Sequence, residues 1–259
     1  MSTQPKSFRK THNNPASLHA EADGLHRLAI TCQQGDVPLS VARVISVTDQ
    51  ELCTQWIDQQ AGSREQFMQL GQALAQLHNI HFDQVGLERD NFIGLNPQPN
   101  GLSDDWGSFF VTQRLGFQVS LVANPSFAEA CQQWLTDLAP ALQNWLNQNC
   151  QHFSLLHGDL WSGNVLFDHQ GAWLIDPAVY QGDAEADLAM TFLFGGFPAA
   201  FYQGYEKIRP RSTAYPIKQV VYNLYHQLNH YNLFGDSYRS GCERAFAIMG
   251  EFFNSNTHS

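Results

Sequence analysis

Hydrophobic positions in the first 60 residues recur with two different periods. After the pair Asn14-Pro15, apolar residues return every three to four positions as far as Ala29. Asn before Pro is typical of a helix N-cap followed by a first turn, so this stretch predicts an amphipathic helix. Residues 41–47 and 52–57 are instead rich in β-branched and apolar side chains around a polar Thr-Asp-Gln turn. They predict two antiparallel strands.

Beyond residue 60 the apolar spacing becomes almost entirely helical. The expected helices cover residues 64–78, 109–121, 127–146 with an interruption at Pro140, 199–208, 217–233 and 242–253. A polar turn that begins at residue 180 leads into a further helix, which runs to about residue 194. A short strand over residues 8–11 completes the β-rich part. The patterning therefore predicts an α+β protein with a small β-rich lobe over residues 1–60 and a large, mainly helical lobe over residues 61–259.

Chemistry-bearing residues concentrate between residues 155 and 178. An apolar run leads into His157 and Asp159, and Asn164 follows five positions after the aspartate. A predicted hairpin then ends at Asp176. Aspartate, asparagine, hairpin and aspartate is the order of catalytic base, metal-binding amide and metal-binding carboxylate in protein-kinase-like phosphotransferases. The alternative is that these polar residues only cap turns and end strands.

Composition limits the class of protein and of partner. The chain has 259 residues with a formal net charge of -10, which argues against a nucleic-acid surface. Its five cysteines show no CxxC spacing and indicate reduced thiols. No segment resembles a signal peptide or a membrane span, so we expect a cytoplasmic protein. An anionic nucleotide would have to be held by local cations and metal.

Two further candidates have simpler explanations at this point. Glu21 lies at the edge of the apolar face of the first helix, where a glutamate is more often solvated. His226 and His230 are four residues apart, a spacing that can bind zinc, but no acidic third ligand accompanies them. A structural or substrate-facing role is the better interpretation of the two histidines.

Five stretches together make the chain resemble the fructosamine/ketosamine 3-kinases, within the aminoglycoside- and choline-kinase-like group of the protein-kinase-like fold. These are residues 20–25, 90–94 with 104–106, 157–164, 176–180 continuing to Phe-Gly-Gly-Phe-Pro at 194–198, and Leu-Asn-His-Tyr-Asn-Leu-Phe-Gly at 228–235. The resemblance implies two lobes, with transfer of a phosphate from ATP, aided by Mg²⁺, to the 3-hydroxyl of a free or protein-bound ketosamine. It also implies a role in deglycation and a monomer or weak homodimer.

The same resemblance assigns roles to individual residues. Asp159 would be the catalytic base, and Asn164 and Asp176 would hold magnesium. Lys10 would contact the phosphates and pair with Glu21. The remaining assignments are the adenine hinge at Gln55, Trp56 and Ile57, and a substrate side formed by Trp161, His157, Asp104 and His230.

One departure from the family concerns the N-terminus. Family members begin with two strands and a glycine-containing loop that covers the phosphates, whereas this chain opens almost at the lysine. We therefore expect a misplaced gene start or a naturally shortened kinase, with Lys6 or Arg9 as alternative cations. Two other functions stay open: a related kinase of the aminoglycoside or choline type, and a non-catalytic pseudokinase.

Overall fold

The computed structural model describes residues 6–256. Within them, the chain forms two compact units, each built from separate segments. The first unit contains the residues up to His81, then Ser154–Val179 and Thr191–Arg211. The second contains Phe82–Phe153, Tyr180–Met190 and the residues from Ser212 onward. These units differ in their bounds from the predicted lobes 1–60 and 61–259, and that division stays a prediction.

The first unit begins with a three-stranded antiparallel sheet and one helix. Strands β1 (Ser7–Thr11), β3 (Val44–Val47) and β4 (Glu51–Gln55) lie in the order β1-β4-β3, and Lys10 pairs with Leu52. Helix α1 (Pro15–Gln34) starts where Asn14 Oδ1 accepts a hydrogen bond from Ala16 N, as the Asn-Pro pair predicts. Leu18 and Ala22 of α1 are buried together with Leu52.

A second sheet in this unit brings together distant parts of the chain. Strand β2 (Ser40–Val41) runs parallel to β9 (Ala172–Leu174), which is antiparallel to β8 (Val165–Phe167). Residues 41–47 are therefore not one strand, because Val41 pairs in a different sheet from residues 44–47. Ala42 N continues the contact by donating to Leu174 O at 3.0 Å.

Helices α2 (Arg64–His78) and α7 (Ala199–Ile208) pack closely through glycine. A Cβ atom on Gly71 would overlap the carbonyl oxygen of Phe201, and one on Gly204 would overlap that of Met68. Helix α2 begins at a capping box formed by Ser63 and Gln66, and both helices have the bounds that the sequence predicts.

The second unit is mainly helical. Its elements are β5 (Asn91–Ile93), β6 (Asn96–Gln98), α3 (Trp106–Phe109), a π-helix (Phe110–Gly116), α4 (Phe117–Ser120), α5 (Pro125–Asn149), β10 (Tyr180–Asp183), α6 (Glu185–Met190), α8 (Tyr215–Phe234) and α9 (Arg239–Asn256). Strand β7 (Phe153–Leu156) precedes the site described below. In the core of the unit, the Lys218 ammonium lies 2.6 Å from Asp183 Oδ2 and 2.7 Å from Glu185 Oε2.

Two helix predictions were wrong in detail. Helix α5 continues through Pro140, because that proline lies on the exposed face, where the carbonyl that loses its partner can bind water. Helix α6 ends at Met190 instead of Phe194, since the glycine-rich segment that follows forms a turn. None of the helices in residues 6–256 is long and apolar enough to cross a membrane.

Candidate active site

The loop after β7 holds the predicted base next to the predicted metal-binding amide. Asn164 Nδ2 donates to Asp159 Oδ2 at 3.0 Å and to the Asp159 carbonyl oxygen at 2.8 Å. Asn164 is buried, at the end of a 3₁₀ turn over Ser162–Asn164. Its backbone carbonyl accepts from Ile175 N at 3.1 Å, which brings the end of the hairpin beside the loop. The bond to Oδ2 holds the Asp159 carboxylate, and the bond to the carbonyl oxygen holds its backbone.

His157 lies inside this loop and is fully buried. Its Nε2 donates to Ile175 O at 2.9 Å, and its Nδ1 accepts from Asp159 N at 3.3 Å. These two bonds select one neutral tautomer and tie the base to the hairpin. The sequence predicts that His157 contacts the substrate. Its buried position instead favours a role in holding the loop.

Asp176 and the two N-terminal candidates form a triad of charges. Lys10 Nζ lies 2.6 Å from Glu21 Oε2 and 3.2 Å from Asp176 Oδ2. Asp176 adopts a left-handed backbone with a φ of 50°, a conformation that aspartate tolerates better than most residues. Side-chain exposure is 12% for Glu21 and 41% for Asp176, so the glutamate is the enclosed member and the aspartate the accessible one.

Two carboxylates share one ammonium in this triad, and the pKa values reflect it. Burial, followed by the neighbouring charge of Asp176, raises the pKa of Glu21 from 4.5 to about 7, although Lys10 opposes the change. Burial alone would lower the pKa of Lys10, but Glu21 and Asp176 together raise it. The lysine therefore stays protonated, and Glu21 is the group that takes up a proton near neutrality.

The other cations considered from the sequence lie elsewhere. Arg9 points to the opposite side of β1 and pairs with Glu51 at 2.7 Å, with 64% of its side chain exposed. Lys6 Nζ lies 6.0 Å from the centre of the Trp56 ring. Lys10 alone of these three contacts Asp176, so the structure favours Lys10 over Arg9 and Lys6.

A cavity of about 300 Å³ opens beside the triad. The predicted hinge residues Gln55, Trp56 and Ile57 line one side of it, while Lys10, Glu21 and Asp176 line another. Its remaining walls are largely apolar. They include Phe8, Leu25, Ala42, Leu52, Leu166 and Ile175. A largely apolar cavity that is also lined by charged groups suits a purine base with its phosphates near Lys10.

The sequence offered no signal for several of these wall residues. Leu25 and Ala42 are buried apolar residues, so in the sequence they look the same as residues of the hydrophobic core. Leu166 occupies the middle of a short strand in the predicted hairpin. Only the tertiary structure separates cavity-wall residues from core residues. The spacing of apolar residues along the chain does not distinguish them.

The predicted substrate residues are divided between the units. Trp161 follows the base in the first unit, and its backbone N–H donates to the Asp159 carbonyl oxygen at 3.2 Å. Asp104 and His230 belong to the second unit. Asp104 is exposed, and His230 is half-buried with its Nδ1 2.8 Å from His226 O. Burial lowers the pKa of His230.

The donor set fits magnesium bound together with phosphates. Because its amide nitrogen is occupied, Asn164 offers Oδ1, and Asp176 offers a carboxylate oxygen. Residues 6–256 contain no group of three or more His, Cys, Asp and Glu that could hold a metal ion. Mg²⁺ in phosphate-transfer sites is commonly bound by one or two side chains, with substrate phosphates and waters completing the shell.

Comparison with known proteins places the chain in a family. The fructosamine kinase family model matches residues 4–250. A probable ketoamine kinase of Synechocystis is 41% identical, over 88% of this chain and 76% of that protein. The chloroplastic protein-ribulosamine 3-kinase of Arabidopsis thaliana is 36% identical, over 95% of this chain and 75% of that protein.

Solved structures agree on the fold. A candidate fructosamine-3-kinase of Haemophilus somnus superposes with a TM-score of 0.81 at 26% identity, over 94% of this chain and 82% of that one. An ADP-bound aminoglycoside phosphotransferase is similar in fold alone, with a TM-score of 0.61 at 14% identity, over 95% and 88% of the two chains. The predicted α+β, protein-kinase-like fold is confirmed, and the chain belongs to the fructosamine kinase family of phosphotransferases.

Proposed function

We propose that this protein uses ATP and Mg²⁺ to phosphorylate the 3-hydroxyl of a ketosamine. The observation that carries the proposal is one set of contacts, in which Asn164 holds Asp159 while Lys10 joins Glu21 and Asp176. Membership of the fructosamine kinase family supports the substrate class. Phosphorylation of such an adduct makes it easier to break down, so we include deglycation in the proposal.

Asp159 is the group that we assign to the acceptor hydroxyl. Its carboxylate, which accepts a hydrogen bond from Asn164 Nδ2, would take the proton that the acceptor hydroxyl loses as the hydroxyl oxygen bonds to phosphorus and the bond from phosphorus to the ADP oxygen breaks. His157 keeps the loop in register through its two hydrogen bonds. The base is thus positioned before the acceptor arrives, which is the main requirement of a loose phosphoryl-transfer reaction.

The triad and the cavity support the nucleotide-binding part of the proposal. Lys10 presents its ammonium at the charged end of the cavity, and Glu21 fixes that ammonium at 2.6 Å. Asn164 and Asp176 would hold Mg²⁺, which neutralises charge on the phosphates when it is bound. The backbone at Gln55–Ile57 and the apolar walls would contact the base. The intact triad disfavours a pseudokinase.

Turnover of a fructosamine-type amine with Mg-ATP tests the proposal. Phosphorus NMR should show a sugar 3-phosphate together with ADP, and chelation of Mg²⁺ should abolish both. Asp159→Ala should lower kcat by about 10²- to 10⁴-fold, because the hydroxyl loses its proton acceptor. Asp137→Ala is a matched control, since Asp137 lies on the exposed face of α5 and contacts only Gln133 among the hydrogen bonds resolved there.

Three results would overturn parts of the proposal. Equal turnover by Asp159→Ala and wild type would remove the assignment of the base. A thermal melt unchanged by millimolar Mg-ATP would contradict nucleotide binding, because a ligand in excess of its dissociation constant stabilises the folded state. Preference for an aminoglycoside or choline over ketosamines would contradict the substrate class.

A further inference from the structure

Phe194 occupies a backbone position that suits a different residue. Gly196 N donates to Leu193 O at 3.2 Å, which closes a four-residue turn. The two central residues, Phe194 and Gly195, have φ values of 53° and 98°. Positive φ at both positions is the pattern of a type I′ turn, where Asn-Gly is strongly favoured. A bulky side chain at the first of these positions costs about 1–3 kcal/mol.

Burial of the Phe194 ring does not offset this backbone strain, because the ring is exposed. The residue remains 41% exposed, which is high for a phenylalanine. Residues held in strained backbone conformations are concentrated at functional sites. The segment itself is well anchored, because Phe197 N donates to Thr191 O at 3.1 Å.

The ring of Phe194 contacts Trp161, next to the candidate base. The two rings meet edge to face, with centroids 5.9 Å apart and an interplanar angle of 79°. The indole also lies against the backbone of Gly163, so closely that a Cβ atom there would overlap the six-membered ring. Trp161 therefore packs against both Gly163 and Phe194.

Resting on the function proposed above, we propose that Phe194 is a positioning residue that orients Trp161, and that the Phe194–Trp161 pair binds the amine end of the ketosamine. The reacting 3-hydroxyl is two carbons away from the carbon that bears the nitrogen. Groups that flank Asp159 therefore face either the amine end or the polyhydroxyl end of the sugar. Two aromatic rings suit the amine end, because a protonated secondary amine with an apolar substituent binds aromatic faces, whereas hydroxyl groups require polar partners.

Kinetics with acceptors that differ only at nitrogen test this assignment. Fructosamines of methylamine and benzylamine are compared with fructose, which lacks the amine. Phe194→Gly and Phe194→Asn both fit the turn while removing the ring. Each should raise KM for both amines by about two- to tenfold, the range expected for one aromatic contact, with the larger effect on the benzyl compound. KM for ATP and for fructose, and kcat, should stay within about twofold of wild type.

Two measurements separate this role from a merely structural one. The melting temperatures of Phe194→Gly and Phe194→Asn should stay close to that of wild type, because relief of the strained turn offsets the lost ring contact and, for glycine, the greater freedom of the unfolded chain. Titration of intrinsic tryptophan fluorescence with each amine, in the absence of nucleotide, should show the same loss of affinity without any catalysis. Asp36→Gly is the matched control, since Asp36 also has a positive φ (50°) but lies in the turn after α1.

Each outcome has a distinct meaning. Unchanged amine KM in both variants, or an equal rise in KM for fructose, overturns the role of Phe194. A melting temperature reduced in both variants, with kcat lost for every acceptor, also overturns it and makes the residue structural. If wild type phosphorylates no ketosamine at all, the proposed function fails instead, whatever the variants do.

Discussion

Replacing Glu21 by glutamine removes one of the two carboxylates that share the Lys10 ammonium. In the folded protein the pKa of Glu21 is about 7, against 4.5 for an unperturbed glutamate. Between these two pH values the folded state keeps a proton that the unfolded state has released. The stability of the wild-type protein therefore falls as pH rises through this window.

The size of the effect follows from the two pKa values. At about 1.4 kcal/mol for each pKa unit, the difference between about 7 and 4.5 corresponds to roughly 3 kcal/mol. This destabilising contribution is absent below pH 4.5 and complete above pH 7. Glu21→Gln lacks the titrating group. Between pH 4.5 and pH 8, the free energy of unfolding of the wild type should therefore fall by about 3 kcal/mol more than that of the variant.

Urea denaturation followed by circular dichroism, without nucleotide or magnesium, measures this difference. The free energy of unfolding is determined for wild type and Glu21→Gln at several pH values, and one curve is subtracted from the other. Glu65→Gln, at an exposed position in the first turn of α2, is the matched control for the substitution itself. A difference for Glu21→Gln that does not change with pH would refute the raised pKa that burial and the charge of Asp176 give this carboxylate.

Two further predictions concern packing in each unit. Lys218→Met should lower the free energy of unfolding by about 3–5 kcal/mol in urea denaturation, because Asp183 and Glu185 would be left buried without their cation. Arg27→Ala, which breaks the exposed pair with Asp23, should cost less than about 1 kcal/mol and serves as its control. Gly71→Ala should cost at least about 2 kcal/mol in the same assay, because its methyl group would overlap Phe201 O. Gly250→Ala, where a Cβ meets open space on α9, should not destabilise. A loss for Gly71→Ala no greater than that for Gly250→Ala would contradict the close packing of α2 and α7.

Elements with local signals could be predicted from the sequence. The start of α1 follows from Asn14 and Pro15, and that of α2 from the capping box at Ser63 and Gln66, since these bonds involve neighbours in the chain. The residues of the loop from Asp159 to Asp176 could be listed because their order is itself the signal. Their roles remain predictions until the variants are measured.

Other features depend on contacts that no local pattern records. The strand predicted over residues 41–47 is divided because Val41 pairs with Leu174, far along the chain. Pro140 lies within α5, where buried residues on the opposite face hold the helix together. Phe194 violates the preference of its own turn, so a reading based on turn chemistry would not select it.

The discontinuity of the first unit affects how the protein is made. Strand β2 emerges from the ribosome well before its partner β9, since Ser40 pairs with Trp173. Helix α7, which α2 packs against, lies in a segment that ends at Arg211, 130 positions after His81. At about 5–20 residues per second, those 130 positions take roughly 6 to 26 s to synthesise. During that interval the nascent chain exposes unpaired strand edges and the apolar face of α2, so its yield should depend on chaperones and on translation speed more than its final stability does.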